Sequence, residues 1–303
     1  MLNLHRLMVL HQFALRGSIS ATAEALDYSP SAVSQQLSAL ERETGISLLE
    51  RTARSALLTD AGQLLAQRAA DLMAAAETAE AELHASVDEI SGSVTVSVIP
   101  TVAPHVAAEL ARLAATTPRL ELVLRQAESA DALQLLEQSD VDVAVVDLWP
   151  PQRTITNPRL RARTLIRDRL VVATALDHSL ASDTSTVTLK DLAPHVAHDT
   201  WLCAPHGHPS RRGIDGLLRE YDLEPVTRWE FEGLNTIASL VAQGAGIAIL
   251  PRLALGGFAD TIHTRDLRPA AHRTIAAVTR TSAHRRPAVT ATLAAVRQGF
   301  ASA

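Results

Sequence analysis

The chain has almost no cysteine, almost no lysine and no long apolar run. Cys203 is the only cysteine in 303 residues, which excludes an intrachain disulfide, a four-thiolate zinc site and a two-cysteine redox switch. The longest apolar runs, such as residues 247–250, are too short to span a bilayer, and the N-terminus lacks a signal-peptide core. We therefore expect a cytoplasmic protein without a membrane partner.

Lys190 is the only lysine, and the net charge is -5. This balance argues against a protein that coats nucleic acid by bulk electrostatics, although it permits a local DNA-reading surface. A length of 303 residues exceeds what one hydrophobic core usually supports, so we expect two or more domains.

The first ninety residues show helical periodicity. One amphipathic stretch ends at Gly17, a second covers residues 20–26, and a short turn follows. A third helix has Ser29 as a plausible N-cap, Pro30 at its first position and Gly45 as its stop. Two short helices joined by a brief turn predict a helix-turn-helix.

The third helix has an unusual polar face. Its short or uncharged side chains recur at i, i+3, i+4 and i+7, namely Ser31, Ser34, Gln35 and Ser38. Solvated helix faces usually carry Glu, Lys and Arg, whereas serine is a middling helix former. Short groups that donate or accept hydrogen bonds suit the base edges of a major groove, and glutamine can pair with adenine. The alternative is a face that is merely solvated.

Residues 48–58 predict a small hairpin, or wing, around Arg51 and Arg54, and Thr59 with Asp60 opens a long helix to about residue 90. Steps of four and three along that helix give a coiled-coil seam: Leu65, Ala69, Leu72, Ala76, Ala79, Leu83, Ser86 and Ile90. We expect it to dimerise; the alternative is a helix packed on its own domain.

From Gly92 the periodicity changes to alternating strands and helices. Strands are expected at 93–98, 120–125 and 141–146 with helices between them, which indicates a largely parallel sheet with crossover helices. Further strands are expected near residues 170–174, 200–203, 228–231, 247–250 and 274–278, followed by a last helix at 288–300.

Several stretches match a known family in the right order. They include GSISATAEAL at 17–26, SPSAVSQQL at 29–37, and residues 40–41, 49–51, 58–62, 178–181, 189–192 and 240–251. On these residues the chain resembles the LysR-type transcriptional regulators over essentially its full length. The N-terminal block is the specific part of the match.

The resemblance implies an α/β protein with three parts. These are a winged helix-turn-helix domain at 1–58, a linker and dimerisation helix at 59–91, and a two-lobed effector domain at 92–303, built like a periplasmic binding protein. Lobe 1 would comprise 93–164 with 267–303, and lobe 2 165–266. The implied partners are double-stranded promoter DNA, an unidentified small-molecule effector that changes DNA binding or bending, further copies in a homodimer or homotetramer, and RNA polymerase. No cofactor is implied.

The resemblance also assigns DNA-binding residues. Ser31, Ser34, Gln35 and Ser38 would face base edges or nearby phosphates. Ser29 and Pro30, which start the helix and set its entry, belong to the same DNA-binding set. Arg51 and Arg54 would contact phosphates or the minor groove, unless they are ordinary surface arginines. Because residues 1–60 contain no lysine and their acidic residues offset their arginines, we expect a shallow salt dependence of DNA binding per subunit.

Ligands of two-lobed sheets lie at the carboxyl ends of strands, in the crevice between the lobes. The effector-binding candidates at such positions are Pro100, Thr101, Ser129, Cys203, His206 and Asn235. Thr101 and Asn235 are equally explained as plain helix caps.

Two other clusters have competing interpretations. His195, His198, Cys203, His206 and His208 have metal-ligand chemistry but no recognised spacing, so we interpret them as surface or cleft residues and predict no metal. Arginines 159, 161, 163, 167 and 169 favour a solvated strand edge over an effector-attracting surface.

No enzyme is expected, because Gly244-x-Gly246 precedes a strand and the nucleophile elbow, P-loop and zincin motifs are absent. The rival interpretation is a small-molecule-binding module whose DNA domain serves anchoring.

Overall fold

The computed structural model describes residues 2–51, 56–85, 90–152, 154–182, 186–258 and 260–301. The chain divides into two compact units, Met1–Glu89 with Thr281–Pro287 and Ile90–Arg280 with Ala288–Ala303. Each unit has hydrophobic clusters of its own. No helix within these ranges combines the length and the apolarity needed to cross a bilayer.

The N-terminal unit is a helix-turn-helix followed by a hairpin and a long helix, as predicted. Its elements are α1 Leu4–Arg16, α2 Ile19–Ala25, α3 Pro30–Thr44, β1 Leu49–Arg51, β2 Ala56–Leu58 and α4 Asp60–Ala85. Strands β1 and β2 pair antiparallel. The buried face of α3, formed by Val33, Leu37 and Leu40, packs into the same cluster as Phe13 of α1.

The predicted seam of α4 has a first part that is packed in the core and a later part that is exposed. Leu65 and Ala69 pack into the core of their own unit, so the alternative of a helix on its own domain holds for this first part. Leu72 and Leu83, further along, are 46% and 70% exposed. The predicted seam position Ser86 lies outside the described residues.

The second unit alternates strands and helices as the periodicity predicts. Its elements are β3 Gly92–Val98, α5 Ala103–Thr116, β4 Leu120–Gln126, α6 Ser129–Glu137, β5 Val143–Leu148, β6 Leu160–Ala175, β7 Val187–Thr188, α7 Ala193–His198, β8 Thr200–Cys203, α8 Pro209–Arg219, β9 Thr227–Glu230, α9 Leu234–Ala242, β10 Ala248–Pro251, β11 Ile262–Arg268, β12 His272–Arg280 and α10 Pro287–Gln298.

Among the described residues, eight strands form one sheet in the order β4-β3-β5-β12-β6-β11-β7, with β10 also paired to β6. We call the part from β4 to β6 the first sheet and the part from β6 to β7, with β10, the second sheet. Strand β3 pairs parallel with β4 and β5, with α5 and α6 as crossovers. The expectation of a largely parallel sheet is wrong for the other half, because β12 returns from the C-terminal part of the chain and pairs antiparallel with β5 and β6. Val143 and Val145 of β5 enter one apolar cluster and Ala144 and Val146 the other, so both faces are covered.

Strand β6 connects the two sheets of this unit. Its first part, up to Arg169, pairs with β12, whereas Leu170 to Ala175 pairs with β10 and β11 of the second sheet. The strands that pair with β6 therefore change after Arg169, which is C-terminal to the lobe boundary predicted at residue 164. Over its first part β12 is its only partner strand among the described residues, and Arg161 and Arg163 are exposed, which confirms the predicted solvated strand edge.

Candidate functional site

The polar face of α3 is presented to solvent by a well-capped helix. The Ser29 side chain accepts a hydrogen bond from the Ala32 N–H, Pro30 occupies the first turn, and Gly45 ends the helix at φ 68°. Ser31 and Gln35 are exposed, while Ser34 and Ser38 are half-buried. Ser29 therefore has a structural role in starting the helix, and the residues that follow it form one accessible row.

A carboxylate and a close backbone contact fix the far end of α3. Glu41 Oε1 accepts hydrogen bonds from the Leu48 N–H at 2.9 Å and the Leu49 N–H at 3.0 Å, which attaches the start of the hairpin to α3. The Leu48 carbonyl accepts from the Thr59 N–H, and the Thr59 hydroxyl accepts from the Gly62 N–H as the predicted cap of α4. Glu41 thus attaches α3 to the start of the hairpin, and Thr59 attaches the same segment to the start of α4.

Of the two arginines predicted in the wing, the described part of the chain includes only Arg51. Arg51 lies in β1, the first strand of the hairpin. Arg54 falls outside the described residues, so its assignment to DNA stays a prediction.

The predicted effector residue Thr101 contacts a buried guanidinium that the sequence did not single out. Arg273 of β12 is 0% exposed. Its Nη2 donates to Thr101 Oγ1 at 2.9 Å, its Nε to Asp168 at 2.9 Å and its Nη1 to Asp147 at 3.0 Å. Each of the three guanidinium nitrogens thus donates to an acceptor, which offsets the cost of burying the charge. Thr101 is not a helix cap, since the N-cap of α5 is Val102.

Ser129 belongs to the same network. Its hydroxyl donates to Asp147 Oδ1 at 2.6 Å and accepts from the Asp147 N–H at 2.9 Å. The Trp149 indole donates to Asp147 Oδ2 at 2.6 Å, and its ring lies 5.6 Å from the guanidinium of Arg273. The buried cluster therefore joins the ends of β3 and β5 to β6 and β12.

The charges of this cluster do not cancel. Asp147 and Asp168 together carry two negative charges against one positive charge on Arg273 when both are ionised. Burial raises the pKa of Asp168, and the opposing attraction of Arg273 does not cancel that effect. The hydroxyls of Thr101 and Ser129 already form hydrogen bonds inside the protein. The carboxylates that pair with Arg273 belong to the cluster itself.

Cys203, at the end of β8, lies in a second polar cluster. Arg211 of α8 donates to its Sγ at 2.9 Å and also pairs with Asp215 and Glu230. Burial is the largest effect on the thiol and raises its pKa above the ordinary value. Burial thus disfavours the thiolate form, and the neighbouring charge of Arg211 opposes that effect only in part.

The remaining effector candidates are scattered. Pro100 is half-buried beside Thr101, whereas His206 and Asn235 are exposed. Asn235 is not a cap either, because Gly233 precedes α9 as its N-cap. His208 is the N-cap of α8, and its Nε2 lies 3.9 Å from Oε2 of Glu128, the residue before α6. These two side chains therefore face each other.

The predicted histidine cluster separates in the structure. Of its five members only His195 joins a group with metal-ligand geometry in the described part of the chain, and its companions are His178 and Asp199. His198 and His206 are exposed elsewhere.

Sequence reasoning missed Asp147, Asp168, Trp149 and Arg273. Asp147 had a usable signal, because it lies near the end of a parallel strand, by the rule that selected Thr101 and Ser129. Arg273 had none, since its partners are 105, 126 and 172 residues away in sequence.

Two family models match the chain. The model described as "Bacterial regulatory helix-turn-helix protein, lysR family" matches residues 4–63, and the one described as "LysR substrate binding domain" matches residues 88–301. The chain belongs to the LysR family of transcriptional regulators. It thus combines a DNA-binding helix-turn-helix domain with an effector-binding domain of mixed sheet and helix.

The chain is similar to several curated relatives. It is 31% identical over 294 residues to the probable hydrogen peroxide-inducible genes activator of Streptomyces viridosporus, covering 92% of this chain and 88% of the relative. It is 28% identical over 255 residues to the dual regulator OxyR of Escherichia coli, covering 84% of this chain and 80% of the relative.

Solved structures with this fold include full-length OxyR from Pseudomonas aeruginosa, a cysteine variant. It has a TM-score of 0.73 at 21% identity and covers 98% of this chain and 95% of that one. A hydrogen peroxide-bound OxyR mutant of Corynebacterium glutamicum has a TM-score of 0.59 at 25% identity and covers 99% and 93%.

Proposed function

We propose that this LysR-family regulator reads promoter DNA with the exposed face of α3. The observation that supports it is a helix whose core side is buried and whose outer row, Ser31, Ser34, Gln35 and Ser38, consists of small or amide side chains. Such groups match base edges without bringing a charge that must be paired. Pro30 and Ser29 set the entry of the helix, and Arg51 and Arg54 contact the flanking backbone.

The wider assignment follows the predicted organisation. Residues 1–58 bind DNA, 59–91 link and dimerise, and 92–303 bind an effector between lobes at 93–164 with 267–303 and at 165–266. The protein acts in the cytoplasm as a homodimer or homotetramer, regulates by changing promoter binding or bending, works with RNA polymerase and does not act as an enzyme.

The effector site proposed between the lobes uses Pro100, Thr101, Ser129, Cys203, His206 and Asn235. Thr101 and Ser129 are the members whose positions the buried network fixes; because their hydroxyls are engaged there, they would shape the site more than they would bind the effector directly. A compound that binds the folded domain raises its melting temperature, so a thermal-shift screen with and without Ser129→Ala tests the site.

The names of the relatives raise hydrogen peroxide as a competing signal. The single cysteine rules out an intrachain disulfide as the response. The raised pKa of Cys203 further disfavours oxidation, because the thiolate is the form that reacts. We therefore favour a bound small molecule over thiol oxidation.

The DNA-reading proposal is tested by selecting binding sites from random duplex DNA and measuring the affinity of the Ser34→Ala plus Gln35→Ala variant. A good bidentate base contact discriminates by about 1–3 kcal/mol, so the preference for the selected site should fall roughly 10- to 100-fold while non-selective binding persists. Gln134→Ala, at an exposed glutamine of α6, is the control and should leave the preference unchanged. An unchanged footprint of the double variant contradicts the assignment.

A further inference from the structure

Two imidazoles and one carboxylate converge in the second sheet region, away from the buried arginine cluster. His178 follows β6, His195 lies in α7, and Asp199 is the C-cap residue of α7, directly before β8. One ligand atom of each residue lies within 4.8 Å of the other two. The side chains are 21%, 19% and 26% exposed, so water and ions reach the group although the protein surrounds most of it.

The carboxylate of Asp199 is the centre of the group. Its Oδ2 lies 2.6 Å from His195 Nδ1 and 3.3 Å from His178 Nε2. The two rings are tilted, with their centroids 5.5 Å apart. His195 and Asp199 are four residues apart, which places them on one side of the helix end, and His178 approaches from the other segment.

We propose that His178, His195 and Asp199 bind a divalent transition-metal ion of the zinc class. Two imidazole nitrogens and a carboxylate oxygen are three ligands of the types that such ions prefer, and a three-ligand site leaves room for water. Tetrahedral Zn²⁺ with bonds of about 2.0–2.2 Å separates its ligand atoms by roughly 3.3 Å, close to the spacing of the His178–Asp199 pair. Small side-chain rotations adjust the other two separations.

The hydrogen bonds of the ion-free group show which ring protons must move when a metal ion binds. The Leu180 N–H donates to His178 Nδ1 at 3.2 Å, so in the ion-free protein the His178 proton is on Nε2, facing Asp199. A metal that binds Nε2 requires the ring proton on Nδ1, so the Leu180 N–H loses this acceptor on binding. His195 likewise binds through Nδ1 with its proton on Nε2.

The position of the site gives the ion a structural effect. The ion joins the segment after β6 to the junction of α7 and β8, which are otherwise connected here by side-chain hydrogen bonds. The Trp201 indole of β8 donates to the His195 carbonyl at 3.1 Å, so the ligand helix is already attached to the strand. Because the ion binds the folded state, it raises the melting temperature of this unit.

Equilibrium dialysis of the full-length protein against Zn²⁺ alone tests the proposal. We expect one ion per chain. His195→Ala and Asp199→Asn should each weaken binding at least about 100-fold, since loss of even an outer-shell partner typically costs roughly 10- to 100-fold. His198→Ala, an exposed histidine of the same helix, and Cys203→Ser should keep the affinity of the unaltered protein.

A second measurement separates loss of a ligand from loss of structure. Circular dichroism without metal should show both ligand variants folded, and Zn²⁺ should raise the melting temperature of the unaltered protein, His198→Ala and Cys203→Ser but not that of the two ligand variants. Equal Zn²⁺ affinity of the unaltered protein and His195→Ala, or equal loss in His198→Ala, would overturn the proposal. In that case the three side chains form a hydrogen-bonded group without a metal.

Discussion

A single buried residue, Arg273, holds together segments that are distant in sequence. Its guanidinium contacts Thr101 after β3, Asp147 in β5 and Asp168 in β6. Removing a charge from water is costly, and the hydrogen bonds from all three guanidinium nitrogens offset that cost here. The residue is therefore a structural connector of the second unit.

Replacement of Arg273 by methionine should destabilise the second unit strongly. Methionine fills much of the volume but leaves two carboxylates, one of them in Asp168 at 3% exposure, without their cation. Breaking one partner of a buried ion pair typically costs about 3–5 kcal/mol. Urea denaturation of the variant measures this loss in free energy of unfolding. Arg268→Met, at an exposed arginine, is the control, and a similar stability of both variants would contradict the role given to Arg273.

At the scale of elements, α4 meets the segment just before the hairpin through a backbone contact that only glycine permits. A Cβ on Gly62 would lie 2.1 Å from the Leu48 carbonyl oxygen and 3.0 Å from its carbonyl carbon. Both are backbone atoms, so no side-chain rotation relieves the clash. The first turn of α4 can approach the chain after α3 this closely because residue 62 has no side chain.

Gly62→Ala should therefore lower the stability of the N-terminal unit, although alanine is the better helix former. The intrinsic gain of about 1 kcal/mol is outweighed by displacement of α4 from Leu48. Gly216→Ala in α8 is the matched control, because a Cβ there meets nothing within 4 Å. Thermal denaturation should show a lower Tm for Gly62→Ala and an equal or higher Tm for Gly216→Ala. The reverse order would show that the contact can be relieved.

The elements that could be predicted from the sequence are those with local signals. Ser29, Pro30 and Gly45 mark the ends of α3, and Thr59 marks the start of α4, because caps and turns are decided within a few residues. The antiparallel entry of β12 and the network around Arg273 depend on pairings across the whole second unit, which no short window contains. For the same reason, the sequence analysis did not group His178 with His195, because these residues meet only in the folded unit.

At the scale of the whole molecule, α4 exposes an apolar stripe that a single chain leaves in water. Leu72 and Leu83 of the predicted seam are 46% and 70% exposed, whereas Leu65 and Ala69 at the start of the same seam pack into their own unit. A helix whose seam continues beyond its domain core with exposed leucines is suited to pair there with a second helix. Two copies of α3 would then bind DNA together, which compensates for the low positive charge of residues 1–60.

Leu72→Glu plus Leu83→Glu should convert the oligomer to smaller species. Facing glutamates in a paired helix would repel each other, and the buried apolar area that drives pairing would be lost at about 25 cal/mol per Å². Sedimentation velocity at several concentrations measures the change. Val226→Glu, at a 76% exposed valine of the second unit, is the control and should leave the size distribution intact. An unchanged sedimentation profile of the double variant would show that α4 is not the pairing surface. Because binding by two linked copies is stronger than by one, the double variant should also bind a selected DNA site more weakly, with α3 itself unaltered.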